Sequence, residues 1–331
     1  MKHLTSLLAS LLLASLVSTS ASDRVSYAGK DGPGKGKKVV LISGDEEYRS
    51  EEGLPMLGKI LAVRHGFNCT VLFPLDTNGV IDPNIQTNIP GFEELADADM
   101  VIVQLRFREL PDDKMKYFAD YLNAGKPILG LRTATHSFAY SRNKTSPYAK
   151  FDWQSREWPG GFGQQVLGDT WISHHGNHGS ESTRAVFNDA FKNHPLMHGV
   201  SDVWGPTDVY GVAHLPKDAN VLMYGEVVAG MKPTDARLDG KKNDPMMPIA
   251  WFRNYKTETG NTSKIVTTTM GAATDLLNEG LRRFVVNACY WGTNLEVPAK
   301  ADVNLVGDYA PTAFGFNKAK KGIKPDDHKL N

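Results

Sequence analysis

Three histidines fall within five positions of the stretch WISHHGNHGSEST, residues 171–183. They are His174, His175 and His178. Imidazoles in such a cluster suit three tasks: holding a metal, moving protons, or donating hydrogen bonds to a substrate's hydroxyls. His174 and His178 are four apart, which would stack them on one helix face. Gly176 and Gly179 argue against a helix there. A zinc reading takes His174 and His178, with Glu181 adding an oxygen ligand. The HHxxH spacing is not a ligand pattern of known geometry, so substrate contact by His174, His175 and His178 is the preferred reading and no cofactor is assigned.

Other polar residues stand just after apolar runs. SGDEEYRSEEG (43–53), RFREL (106–110) and RTATHSF (132–138) each follow a strand-like segment. Asp45 and Glu46 form a carboxylate pair that divides acid and base work if their environments set their pKa values apart. His136 is the third acid–base candidate. Arg49, Arg106, Arg132 and Thr133 are candidates for orienting a substrate. Glu51 and Glu52 sit where a helix start favours carboxylates and receive no chemical role.

The elements that must bring these loops together read clearly in the first half. KKVVLISG (37–44), CTVLFPL (69–75), MVIVQL (100–105) and KPILGLR (126–132) are buried strands. LPMLGKILAVRHG (54–66) and PDDKMKYFADYLNAG (111–125) are helices, each closed by glycine. Strands alternating with helices predict an α/β, doubly wound, flavodoxin-like sheet, mainly parallel. Ligands bind such sheets outside the carboxyl ends of the strands, which places Asp45, Glu46, Arg49, Arg106, Arg132 and His136 around one crevice.

The second half is less regular. Residues 140–183 read as a long loop-rich insertion. Strand-like runs return at VYGV (209–212), NVLMYGEVV (220–228), MPIAWF (247–252) and KIVTTTMG (264–271), before a late helix at 278–292. Trp153, Trp158, Trp171, Trp204 and Tyr210 lie in this half. Their flat apolar faces with a polar edge suit a sugar ring.

The bulk numbers bound the rest. Residues 1–22 have the shape of a signal peptide, with an apolar run from Leu4 to Val17 and small residues before the cut. That run is short of the roughly 20 residues a membrane helix needs. The mature protein is therefore expected in the periplasm or secreted. Residues 23–36 read as a leader, 37–296 as one domain, and 297–331 as an irregular tail whose last stretch, KAKKGIKPDDHKLN, is expected to be mobile. Lys plus Arg and Asp plus Glu balance at 37 each. Neutrality argues against nucleic-acid and membrane partners and leaves a small molecule or glycan. Cys69 and Cys289 are expected as buried free thiols, not a disulfide.

Taken in order, the blocks SGDEEYRSEEGLPMLGKIL, ILGLRTATHSF, ISHH, NHPL, TDVYGV, KIVTTTMGAATD and LRRFVVNACYWG resemble the trehalose-utilisation (ThuA-like) family. The resemblance covers roughly residues 38–295 and is to an exported subgroup. It implies a fold similar to class I glutamine amidotransferases and a sugar or oxidised-sugar substrate. It also draws in Asp208 and Tyr210, within TDVYGV, as substrate contacts. Where glutamine amidotransferases carry a nucleophilic cysteine, this chain has Arg132, so glutaminase chemistry has no nucleophile. Many ThuA-like proteins carry a histidine after the pair matching Met270 and Gly271; here that position is Ala272. No G-x-G-x-x-G follows a strand, which argues against a bound dinucleotide. With Asp45, Glu46 and His136 as the acid–base candidates, the expected reaction is hydrolysis or elimination on a sugar derivative, with a non-catalytic glycan-binding module and a zinc-dependent hydrolase as alternatives.

Overall fold

The computed structural model describes residues 22–330. The expected signal segment lies outside them, apart from Ser22. Ten strands form one sheet. They are β1 (Arg24–Tyr27), β2 (Lys38–Gly44), β3 (Asn68–Leu72), β4 (Met100–Leu105), β5 (Ile128–Leu131), β6 (Ser182–Phe187), β7 (Trp204–Gly205), β8 (Asn220–Val228), β9 (Met247–Lys256) and β10 (Thr262–Thr268). Their order is β1-β3-β2-β4-β5-β10-β9-β8-β6-β7. The run from β3 to β10 is parallel, with Val39 opposite Cys69 and Met100, and Val101 opposite Ile128. β2 and β4 are buried almost throughout because helices cover both faces.

Helices α1 (Ser50–His65) and α3 (Glu279–Gly292) pack on one face, and α2 (Asp112–Asn123) on the other. α1 starts four residues before the apolar stripe at Leu54. Arg49 precedes it with φ 61°, and Gly66 ends it with φ 80°, its N–H bonding the Ala62 carbonyl. That left-handed turn suits glycine, which has no Cβ to clash. α3 begins where its sequence places it, because the Asn278 side chain accepts from the Leu281 N–H at 2.9 Å.

Beyond β10 the same sheet continues antiparallel through β9, β8, β6 and β7. Between β5 and β6 lies the long loop-rich stretch, with only short helical turns. VYGV is not a strand of this sheet. Its backbone pairs with the histidine loop: the His175 and Gly176 N–H groups bond the Val209 carbonyl at 2.8 and 2.9 Å. Cys69 and Cys289 are both free and buried.

Two expectations change. The predicted leader contains β1, which adds antiparallel to β3. Its alternation explains this, since Val25 and Tyr27 point inward. The tail from Val297 is irregular but packed, and its last stretch, expected to be mobile, docks as well. Val297, Ala301 and Val303 join the core beside α3. The Ile81 N–H donates to the Ile323 carbonyl at 2.8 Å, and the Tyr27 hydroxyl to that of His328 at 2.8 Å.

His328 makes this docking pH-dependent. Its ring stacks on Phe73 at 5.4 Å, and its Nε2 is buried without a protein partner. Burial, with Lys59 next in weight, pushes the imidazole down to about 4. The folded state therefore binds fewer protons than the unfolded chain between that value and about 6.5. Stability is full above pH 6.5 and is lost as pH falls toward 4, by up to about 3 kcal/mol. His328→Phe is expected to keep the stacking and flatten this decline. Melting temperatures taken from pH 7 to 4 check it; parallel curves for the two proteins would contradict it.

Candidate functional site

The chain reverses direction across the sheet between β2 and β4, because β3 lies on one side of β2 and β4 on the other. Crevices form at such a switch, outside the carboxyl ends of the strands. The loops there are strained. Arg49, Phe107 and Arg132 all have left-handed backbones, with φ 61°, 52° and 41°. Non-glycine residues take this conformation at a cost, and such positions gather at functional sites.

A cavity of about 260 Å³ opens at this edge. It is slightly below the roughly 300–1,000 Å³ of drug-sized ligand pockets, which suits one small ring. Phe107, Trp171, Tyr210 and Phe316 form its aromatic walls. His136, His174, His178, Glu47 and Arg106 supply its polar groups.

His136 is buried between rings, 5.0 Å from Phe107 and 5.3 Å from Trp171 by centroid. Its Nδ1 faces the Thr135 hydroxyl at 3.3 Å. Among the described residues no protein group bonds its Nε2. Burial holds the imidazole well below its ordinary range, and the Arg106 and Arg132 cations add to this. His136 is therefore neutral at neutral pH.

His174 and His178 share one carboxylate. Asp208 is fully buried and accepts from His174 Nδ1 at 2.7 Å and from His178 Nδ1 at 2.9 Å. Arg132 closes the arrangement from behind. Its guanidinium donates to the Asp208 carboxylate at 3.0 Å, to the Asp208 carbonyl at 2.7 Å and to the Thr269 carbonyl at 2.9 Å. It lies over the rings of Tyr210 and Tyr48, at 3.8 and 4.5 Å. Burial alone pushes the Asp208 carboxyl up. Arg132 and the two imidazole hydrogen bonds outweigh it and hold the group well below the usual carboxylate range. The result is two imidazoles fixed at Nδ1.

Glu47 is the carboxylate that reaches the cavity, and sequence reading passed over it for its neighbours. Its Oε1 lies 3.3 Å from His178 Nε2. Burial, followed by the nearby Asp45 charge, pushes its carboxyl above the ordinary value, against the pull of Arg106, His178 and Arg132. Asp45 does not line the cavity. One oxygen accepts the N–H groups of Glu47 and Tyr48 at 2.7 and 3.0 Å, and the other accepts the Thr133 hydroxyl at 2.7 Å. Asp45 and Thr133 thus hold the turn. Glu46 pairs with Arg106 and Arg108. That ion pair fixes Arg106 at the rim, between Phe107 and Phe316 at 4.6 and 5.0 Å.

Three other expected site residues face elsewhere. Arg49 donates to the Gly315 carbonyl at 3.0 Å and so fastens the tail. His175 turns out of the crevice to the Lys242 carbonyl, at 2.9 Å. Glu181 is occupied by Asn177 and Lys242, so it is no partner to His174 and His178. Trp158 and Trp204 do not line the cavity, whereas Trp153 stands behind Trp171 at 6.0 Å. The tail supplies a wall that no motif announced. Gly315 and Phe316 line the cavity, and Phe314 packs on His178 at 5.4 Å.

The family model for trehalose utilisation, ThuA, matches residues 38–292. The chain belongs to the ThuA family. No curated protein matches it. A ThuA-like protein from Parabacteroides merdae shares 15% identity with a TM-score of 0.52, over 90% of this chain and 100% of that one. One from Bacteroides uniformis is also 15% identical, with a TM-score of 0.47 over 80% of this chain and 95% of the other. The fold is thus ThuA-like, with the mixed sheet and covering helices expected of a glutamine-amidotransferase-like protein. Arg132, the residue after β5, has φ 41° and is buried and turned to Asp208. The ThuA region accounts for β2 through α3, while β1 and the tail, with Gly315 and Phe316, lie outside it.

Proposed function

We propose that this ThuA-family protein acts on a single sugar ring or an oxidised-sugar derivative, by hydrolysis or elimination, in the cavity at the ends of β2, β4 and β5. The observation that carries this reading is His136: a neutral imidazole with an unbonded Nε2, set among aromatic walls that suit a sugar's apolar face. In an elimination, Nε2 takes the proton beside the sugar's carbonyl. A carbon–carbon double bond forms as the C–O bond to the leaving group breaks, and that oxygen takes up a proton. Trp171 and Phe107 position the ring, and Arg106 caps the rim. The N-terminal segment, on this reading, sends the protein to sugars outside the cytoplasm.

The test is incubation of the protein with a panel of glycosides and their oxidised, carbonyl-bearing counterparts. Products are followed by NMR and mass spectrometry. Release of the leaving group from a carbonyl-bearing glycoside is the expected result. Saturable binding with every ligand recovered unchanged would make the protein a glycan-binding module and overturn the reading.

A further inference from the structure

We propose that the tail segment from Tyr309 to Phe316 is the specificity element of the cavity. Phe316, set against Arg106, closes the side on which a second sugar ring would continue. The site therefore takes a free or terminal ring and excludes the interior of a chain. The inference deepens the functional reading above and rests on this cavity being the place where a sugar binds.

The segment lies beyond residue 292, where the match to the family model ends. Every lining residue from Glu47 to Tyr210 comes from within that match, and only Gly315 and Phe316 from outside it. The tail is fastened where it crosses the site. The Tyr309 hydroxyl donates to the Ala273 carbonyl at 2.7 Å. The Thr312 N–H and hydroxyl donate to the Glu52 carboxylate at 2.7 and 2.8 Å. Gly315 makes two bonds to the loop after β2. Its N–H donates to the Glu47 carbonyl at 2.7 Å, and its carbonyl accepts from Arg49 at 3.0 Å. Gly315 has φ 124°, a conformation that a side chain would strain. Its two aromatic neighbours take different tasks. Phe314 packs on Tyr48 and His178, at 5.7 and 5.4 Å by ring centroid. Phe316 goes to the rim.

Phe316 is the part of the tail that meets a ligand. It lines the cavity, yet it is 51% exposed, so core packing does not account for an aromatic ring here. The Arg106 guanidinium lies over its ring at 5.0 Å and over that of Phe107 at 4.6 Å. One cation thus joins a ring of the tail to a ring of the loop after β4. A sugar in the cavity presents its apolar face to such rings and its hydroxyls to the polar groups between them. The cavity of about 260 Å³ is sized for one small ring while this wall stands. Arg106 keeps Glu46 and Glu47 as partners without Phe316, so removing that ring opens the wall and leaves the rest of the rim in place.

Full-length wild type, Phe316→Ala and Phe316→Tyr, each checked for folding by circular dichroism, are compared on paired carbonyl-bearing glycosides. One of each pair has a single ring, and the other has a second sugar attached to that ring. Turnover is followed by NMR, and equilibrium binding of each compound by tryptophan fluorescence. The wild type is expected to favour the single ring. Phe316→Ala should raise KM for that compound about 2–10-fold, and more than it lowers kcat, the loss of one aromatic contact. It should also shift the preference in kcat/KM at least about tenfold toward the two-ring compound. Phe316→Tyr keeps the wall and should keep the wild-type preference. Equal use of both compounds by the wild type, or an unchanged preference in Phe316→Ala, overturns the proposal. If both compounds bind and neither is converted, the reading as hydrolysis or elimination falls, and the ratio of binding constants decides on the wall by the same criterion. If no compound binds either protein, both fall.

Discussion

Arg132→Ala is expected to destabilise the protein by roughly 3–5 kcal/mol, the cost of removing one partner from a buried ion pair. Both side chains of the Arg132–Asp208 pair are inaccessible to solvent. Without the guanidinium, a buried carboxylate faces only the two imidazoles, and the Thr269 carbonyl loses its Arg132 donor. Lysine is a poor substitute. It cannot reach both Asp208 and Thr269 with a planar fork, nor stack between Tyr48 and Tyr210. Arg132→Lys should therefore recover less than half of the loss. Urea unfolding of wild type, Arg132→Ala, Asp208→Asn and the double variant measures the coupling. The double variant is expected to be closer to wild type than the two single losses added together, because no unpaired charge is left. A loss below about 1 kcal/mol for Arg132→Ala would show that the pair contributes little net stability, as exposed pairs do.

The parallel half of the fold was legible because each strand is an apolar run with a polar loop behind it. VVLIS and MVIVQ are buried residue after residue, a composition that only a sheet covered on both faces requires. β1 has only four residues, and its alternation is too short to outweigh the glycines that follow it. β6 was missed for a related reason: STRAVF has just two fully buried residues, at its start. The tail gave no periodic signal at all. Tyr309 reaches the Ala273 carbonyl, Thr312 reaches Glu52, and Gly315 reaches the Glu47 carbonyl, at spacings that belong to no helix or strand.

The site was legible at the level of loops and less so at the level of single side chains. Arg106, His136, His174, His178 and Tyr210 do line one cavity. The carboxylate among Asp45, Glu46 and Glu47 could not be chosen from spacing, because three consecutive residues on a turn point three ways. Aspartate's short side chain bonds the N–H groups two and three residues on, which is the ordinary behaviour of aspartate in a turn. Glutamate at 47 is too long for that and extends into the crevice. His175 illustrates the same limit: next to His174 in the sequence, its ring bonds the Lys242 carbonyl and does not line the cavity.

Chemistry and stability are expected to separate at His136. His136→Gln removes the unbonded ring nitrogen proposed as the base and should lower kcat/KM about 10²–10⁴-fold, the usual contribution of one positioned acid or base. The fold has little reason to suffer, since the ring's one hydrogen bond is to the neighbouring Thr135 hydroxyl. The pH dependence has a definite sign. Burial holds the imidazole well below its ordinary value, with Arg106 and Arg132 adding to the effect. The wild type should therefore stay active below pH 6.5 and lose activity only as pH falls through that lowered value. Stability follows the same direction. A histidine kept neutral when folded favours folding above its unfolded pKa and disfavours it as the pH falls. Glutamine cannot be protonated, so His136→Gln should be at least as stable as wild type below pH 6. A variant that melts no earlier in acid, yet turns over a hundredfold more slowly, can only be explained by a role in the reaction. Full activity in the same variant would move the proton transfer to another group in the cavity.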